Sequence, residues 1–332
     1  MTTTQINHYP HELSPNSNHL AVTSICLSVA DLVRTPDLRA RVESVFAEAC
    51  NLVTESGQRF SLVSDRIGDG PLNAVLSHAE ALCVLDPGGQ VTGNGRWLIL
   101  GHGWRVDLRR AQSWDPFPSY HRLAVHRRAV MTNVAWLRRT LPLIAPLSSF
   151  ASLPAPSTNG MFGSRPIAVL AQIWAYQLTC DLLAAHRHHN LAGIQAHARQ
   201  LAGLGPGLTP AGDDWLGGWL VGLHVRSAMA PNTEAGKPLA VSAVGRTVVE
   251  AAAGRTTGLS LAYLRAAAHG AVPRLWHDFL YALVDADPDP VQHAAGEIMR
   301  HGATSGSDTL AGFLAAFGED SYPQVTGFRS AK

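Results

Sequence analysis

A chain of 332 residues is long for one domain, so length alone favours two. Hydrophobic residues make up 46%, which supplies ample core and excludes a globally disordered chain. Lys and Arg number 26 against 25 Asp and Glu, and the net charge of +1 argues against a general nucleic-acid binder. Only 15% of residues are charged, against roughly 25% in an average soluble domain, as suits a surface partly covered by other subunits.

The N-terminal residues 1–20 read as a flexible polar tail without the basic-then-apolar order of a secretion signal, so a cytoplasmic protein is expected. Cys26, Cys50, Cys83 and Cys180 form no CxxC pair and read as ordinary buried thiols of a reduced compartment. Residues 21–140 read as a β-rich domain. Phe60-Ser-Leu-Val-Ser64, Ala81-Leu-Cys-Val-Leu85, Trp97-Leu-Ile-Leu100 and Trp104-Arg-Val-Asp-Leu108 have strand length and content, and Asp86-Pro-Gly-Gly89 and Gly93-Asn-Gly95 supply turns.

Residues 141–165 form a Pro/Ser-rich linker or long loop. The longest uncharged run, between Arg139 and Arg165, contains Pro142, Pro146, Pro154 and Pro156 and cannot be a membrane helix. Residues 166–320 read as a helical domain. Apolar periodicity and glycine stops predict helices over Ile167–His186, Leu191–Leu201, Pro210–Ser227, Lys237–Ala253, Gly258–His269, Arg274–Val284, Pro290–His301 and Gly306–Phe317. The expected fold class is therefore α+β.

The most informative segment is Gly203-Leu-Gly-Pro-Gly-Leu-Thr-Pro-Ala-Gly-Asp-Asp-Trp-Leu-Gly-Gly218. Gly203, Gly205 and Gly207 free the backbone for positive φ, which lets successive N–H groups converge on an anion. Thr209 before Pro210 reads as an N-cap followed by proline in the first helical position, placing the loop at a helix N-terminus that favours negative charge. A glycine stop, a turn and a capped restart is the plainer reading. However, Gly212, Gly217 and Gly218 inside the next helix each cost on the order of 1 kcal/mol relative to alanine, which implies a packing or ligand reason.

Adjacent helical residues point about 100° apart, so Asp213 and Asp214 are not both expected to address one small ligand, and either could simply complement the helix dipole. Gly302-Ala-Thr-Ser-Gly-Ser-Asp-Thr-Leu-Ala-Gly312 repeats the pattern Gly-x-Asp-x-Leu-x-Gly of Gly212–Gly218, with Thr304, Ser305 and Gly306 in its loop. The superposition singles out Asp214 and Asp308 as the functional carboxylates, facing each other across one pocket, and leaves Asp213 a structural partner. Chance likeness of two helix starts is the alternative.

Arg255-Thr-Thr-Gly-Leu-Ser260 offers a cation with Thr256, Thr257 and Ser260 for a carboxylate or phosphate, or else a capped helix beside a solvated arginine. Gly68-Asp-Gly-Pro-Leu-Asn73 reads as a turn, with Asn73 a candidate pocket residue. His186-Arg-His-His189 has no acidic or cysteine companion at ligand spacing and reads as cationic capping of a helix end, so no firm metal site is expected. The chain lacks a Gly-x-Ser-x-Gly elbow, a Walker A lysine and an early Gly-x-Gly-x-x-Gly, which disfavours a serine hydrolase, a P-loop NTPase and a Rossmann dehydrogenase.

At Gly203–Asp214 the sequence resembles the AllH-like family, which includes a subunit of the oxamate carbamoyltransferase of allantoin degradation. The resemblance continues in Gly68–Asn73, Trp114-Asp-Pro116, Arg255-Thr-Thr257 with Ser260, and Thr304-Ser-Gly306 with Asp308, and spans roughly residues 40–318. It departs at Ser307, where a bulkier residue is frequent, and at Ala303, where a histidine is common.

The resemblance implies a complex that moves a carbamoyl group between oxalurate and phosphate, giving oxamate and carbamoyl phosphate. Its partners would be an acyl-CoA-synthetase-like (FdrA-type) subunit and one further subunit, with no nucleic acid and no membrane. Apart from the resemblance, the residues themselves suggest that Gly203, Gly205, Gly207 and Thr209 cradle phosphate, with Gly212 a further candidate binding residue. Arg255 and Thr256 would hold a substrate carboxylate, with Thr257 and Ser260 as further candidate binding residues, and Asp214 and Asp308 would orient ureido nitrogens or a Mg²⁺. The alternatives are a non-catalytic scaffolding subunit of such a complex and an enzyme for another ureido or amide substrate.

Overall fold

The computed structural model describes residues 18–318 apart from 79–81, 83–84, 153–165, 231–238 and 286; side chains of the first residues of the helix beginning at Pro166 are also left aside. The N-terminal part consists of short strands with a single early helix: β1 (His19–Cys26), α1 (Leu27–Val33), β2 (Pro36–Val45), β3 (Ala49–Thr54), β4 (Arg59–Val63), β5 (Asn73–Leu76), β6 (Gln90–Asn94), β7 (Trp97–Ile99), β8 (Arg105–Asp107) and β9 (Gln112–Trp114). They form one nine-stranded sheet in the order β5-β4-β3-β2-β6-β7-β8-β1-β9, and an antiparallel β1–β5 pairing closes it into a barrel. One edge of β1 is shared, since His19–Ala21 pair with β8 and Ser24–Cys26 pair with β9. Bulges in β1 and β2 bend the strands as closure requires.

Burial along the strands shows where the barrel is covered. β2 and β6 alternate, with Leu38, Ala40, Val42 and Val91 inside and polar neighbours in solvent. β3, β4 and β5 are buried on both faces. Their inward residues, among them Cys50, Leu52, Phe60, Leu62, Ala74 and Leu76, join the barrel core. The other face lies under the helical part. Three expected strands are present as β4, β7 and β8, whereas the run Ala81–Leu85 falls largely outside the described residues.

The last strand ends at Trp114, and α2 (Tyr120–Val125) and α3 (Arg127–Ile144) follow, so helices begin within the stretch read as β-rich. Then come α4 (Pro166–Arg187), α5 (Leu191–Leu201), α6 (Ala211–Met229), α7 (Val241–Ala252), α8 (Gly258–Ala268), α9 (Arg274–Ala282), α10 (Pro288–Met299) and α11 (Ser305–Ala315). The chain is thus α+β, a barrel followed by a helical region. Among the described residues no helix is long and apolar enough to cross a membrane.

Helix α6 is the hub of this region. Trp215, Leu216, Trp219, Leu220, Val221 and Val225 are all buried, on every side of the helix. Against it packs α11, and glycines set the spacing. A Cβ on Gly218 would collide with the Thr309 carbonyl, and one on Gly312 with the Trp215 carbonyl. Trp215 follows Asp214 as Thr309 follows Asp308, so the contact is reciprocal and the two helices are related by a local two-fold. The loop glycines match as well: Gly212 is pressed against the Leu201 carbonyl at the end of α5, and Gly306 against that of Ile298 near the end of α10. The sequence repeat is therefore a packing device that joins two helical hairpins.

The seam between barrel and helices is stitched at several points. Arg274 donates from Nε to Asp69 Oδ2 at 2.8 Å, and Ser24 Oγ donates to Asp69 Oδ1 at 2.5 Å. The Pro116 carbonyl accepts from Val272 N at 2.9 Å, and the Trp114 ring lies against His277. The Arg59 guanidinium, doubly bonded to Glu43, lies against Gly258 at the start of α8.

Candidate functional site

On this seam lies a cavity of about 410 Å³. Its barrel wall comes from β3, β4 and the loop into β5, and includes Glu48, Asn51, Ser61, Asp69 and Asn73. The helical wall comes from the starts of α6, α8 and α11 with the ends of α8 and α10, and includes Thr209, Asp213, Asp214, Tyr263, His301 and Ser305. Apolar side chains such as Val221, Leu264, Trp276 and Ile298 complete it.

Local backbone chemistry explains the acid pair. Gly203, Gly205 and Gly207 all have positive φ (77°, 109° and 105°), as their spacing predicted. This turns the chain so that Gly203 N donates to Asp213 Oδ1 at 3.1 Å and Gly212 N to the Leu204 carbonyl at 2.9 Å. Helix α6 begins at Ala211 with Pro210 at the N-cap and no side-chain cap, so the expected Thr209 cap with Pro210 in the first turn is corrected by one position. Proline has no N–H to satisfy, and its extended ψ of 144° stops the helix there. Thr209 is thereby left to line the cavity.

Asp213 is 2% exposed and fully engaged. Thr256 Oγ1 and Ser260 Oγ both donate to its Oδ2, the latter at 2.9 Å, while Gly203 N occupies Oδ1. Burial raises its pKa, and these three hydrogen bonds oppose the rise. Thr256 and Ser260 thus hold a protein carboxylate, where a substrate carboxylate was expected. Thr257 caps α8 by accepting from Ser260 N at 3.0 Å, and it donates to the Leu208 carbonyl at 2.6 Å.

Asp214 is in the opposite condition. Its Oδ2 is buried with no hydrogen-bond partner. Burial pushes its pKa up to about 8, the charges of Asp308 and Asp213 add to the rise, and the Ser305 and Thr209 hydroxyls moderate it. The neighbouring Tyr263 is pushed up to about 12 by burial and by the Asp214 charge. Both aspartates border the cavity even though their side chains diverge, because the cavity wraps the start of α6.

Asp308 sits elsewhere. It is 0% exposed and does not line the cavity. Its Oδ1 accepts from Ser149 Oγ at 2.8 Å and from Phe150 N at 2.7 Å, which anchors the described end of the Pro/Ser-rich segment onto α11. Burial raises its pKa as well. Thr304 occupies the N-cap of α11 without a side-chain cap bond, while Ser305 and Gly306 reach the cavity wall.

The remaining expected residues are dispersed. Arg255 is exposed and absent from the cavity wall, and its carbonyl is what lies against Gly203. Gly205 and Gly207 are exposed and do not line the cavity, and Gly212 is buried in helix packing. Among the described residues no three His, Cys, Asp or Glu side chains cluster to hold a metal ion, and Cys26, Cys50 and Cys180 are unpaired thiols.

Sequence reasoning missed most of the barrel wall. Strand register sets Ser44 opposite Asn51, Asn51 opposite Ser61 and Ser61 opposite Asn73, so one polar row crosses β2–β5. Asn51 Nδ2 donates to Ser44 Oγ at 2.9 Å, and Asn51 Oδ1 accepts from Ser61 Oγ at 2.7 Å. The available signal was a polar side chain in the middle of an otherwise apolar strand.

Barrel, helical region and seam cavity define a two-part protein whose buried acid pair is shared with no surface of either part alone. Residues 21–113 match the AllH family N-terminal domain, and residues 201–317 match the family of the oxamate carbamoyltransferase subunit AllH. The chain belongs to this AllH-like family, whose name marks its members as a subunit of a larger assembly in allantoin degradation. No solved structure matches the chain.

Proposed function

We propose that this chain supplies the carbamoyl-handling cavity of an oxamate carbamoyltransferase complex, which interconverts oxalurate plus phosphate with oxamate plus carbamoyl phosphate. The observation that carries the reading is the Asp213–Asp214 pair: neighbours in one cavity, one carboxyl saturated by hydrogen bonds and the other with a free oxygen and a pKa near 8. A carboxyl that burial keeps protonated near neutral pH is what a general acid requires.

In the direction of oxalurate cleavage, a phosphate oxygen bonds to the carbamoyl carbon and the bond from that carbon to the oxamate nitrogen breaks. The departing nitrogen needs a proton. Asp214, protonated below pH about 8, donates it and becomes a carboxylate, and the proton that the attacking hydrogen phosphate loses restores the acid. In the reverse direction the same carboxylate takes the proton back. Asp213 is a positioning residue: tied to Gly203, Thr256 and Ser260, it fixes the first turn of α6 and with it the Asp214 backbone.

The test is carbamoyl phosphate formation from oxalurate and phosphate by the reconstituted complex. Asp214→Asn is expected to lower turnover by about 100-fold, the lower end of what a positioned acid supplies. Unchanged turnover would contradict the reading. Loss of subunit assembly in place of chemistry would favour the scaffolding alternative.

A further inference from the structure

The barrel wall carries a second unsatisfied group. Asn73 is 4% exposed and lines the cavity. Its Nδ2 is committed, donating to the Gly68 carbonyl at 2.9 Å, so the amide cannot turn around without setting oxygen against oxygen. Gly70 is in place because a Cβ there would press on that same nitrogen, at 2.6 Å. The other end of the amide, Oδ1, is buried with no partner. Its neighbours in the polar row are satisfied: Asn51 uses both ends of its amide, and Ser61 donates to it.

Orphaned buried acceptors are rare because each costs about 1–3 kcal/mol. Here two of them, Asn73 Oδ1 from the barrel and Asp214 Oδ2 from the helical region, line one cavity. Asn73 Oδ1 calls for an N–H donor, while the protonated Asp214 carboxyl offers its O–H to a nitrogen. No Lys or Arg is among the described residues of the wall, so the donor that meets Asn73 Oδ1 comes from the ligand, and a ureide's N–H bonds supply one.

We propose that Asn73 Oδ1 accepts a hydrogen bond from the terminal NH₂ of a ureido substrate while Asp214 addresses its internal nitrogen, so that one planar ureide bridges barrel and helices. The proposal rests on the cavity being the carbamoyl site and adds to it the residue that selects the ureide. A ureide dialkylated at its terminal nitrogen, or a carbamate ester with oxygen in that nitrogen's place, lacks the donor, leaves Asn73 Oδ1 unpaired, and is rejected.

The experiment is equilibrium binding of the full chain to acetylurea, an uncharged ureide with the same H₂N–CO–NH–CO unit, and to its analogue dimethylated at the terminal nitrogen. Acetylurea is expected to bind at least about tenfold more tightly than the dimethyl compound, as one buried hydrogen bond dictates. In Asn73→Ala that preference should vanish. The comparison of two ligands on the unaltered chain stands even where the variant folds poorly. Equal affinity for both compounds, no binding of acetylurea, or an undiminished preference in Asn73→Ala would overturn the proposal. Any of these with carbamoyl transfer still dependent on Asp214 would leave the catalytic reading standing, whereas the loss of that dependence would sink the catalytic reading itself.

Discussion

The hairpins α5–α6 and α10–α11 carry the same Gly-x-Asp-x-Leu-x-Gly pattern and pack on each other through the same glycines, yet their aspartates end in different surroundings. Asp214 borders a cavity roofed by barrel strands, whereas Asp308 lies off the cavity with its Oδ1 held by the Ser149–Phe150 turn; the Oδ2 of each is buried without a partner. Local sequence fixes the helix start and the spacing; what covers that start decides whether its carboxyl is free for chemistry. The glycines belong to the shared part of the pattern and the aspartates to the divergent part.

The shared part should be the most fragile. Gly218→Ala or Gly312→Ala would force a Cβ into the facing carbonyl, and we expect a loss of about 3 kcal/mol in denaturant unfolding for either, equal on both sides of the two-fold. A much smaller loss at one of them would break the equivalence of the hairpins. Asp308→Ala leaves Ser149 Oγ and Phe150 N without their acceptor and should cost about 2–3 kcal/mol of stability. Asp308→Asn, which retains an accepting oxygen, should recover most of that and leave acetylurea affinity unchanged.

For Asp214 the order of effects inverts, with a large loss of turnover in Asp214→Asn and no loss of stability. Its folded pKa of about 8 lies above the ordinary 3.8, so the folded chain keeps a proton that the unfolded chain releases. Stability contributed by that proton is complete below pH about 4 and is lost as pH rises through about 8. Asp214→Asn should therefore melt higher than the unaltered chain above pH 8, and its melting temperature should fall less between pH 4 and 8. Some slope will remain, because burial raises Asp213 and Asp308 too. The smallest effect is expected at Arg255. Exposed and off the cavity wall, it should change stability by less than about 0.5 kcal/mol on replacement by alanine, with ligand affinity untouched.

Much of the helical region was legible because its stops are written in glycine and proline. The expected Leu191–Leu201 coincides with α5, and Gly258–His269 differs from α8 by one residue. The barrel was harder to read. Its strands are short, and the pairings that close it, β1 with β5, β8 and β9, join segments far apart in sequence, which no local pattern reveals. α3 has no acidic first turn and contains Pro142, so it lacked a start signal.

At the candidate site, the dense glycine and aspartate run marked the helix start that borders the cavity. The roles of Thr256 and Ser260 did not follow from it, because only the fold shows that their hydroxyls face Asp213. Asn51 and Ser61 passed unnoticed for a similar reason. Their importance comes from lying in register with Asn73, and register is a property of the sheet.

The central claim is that Asp214 holds a proton at neutral pH in the folded chain. Carbon-13 NMR of the side-chain carboxyls, with Asp214 assigned by its loss in Asp214→Asn, measures this directly. The structure predicts a titration midpoint near pH 8. A midpoint near the ordinary 3.8 would mean that the carboxyl is ionised throughout the working range and cannot serve as the acid.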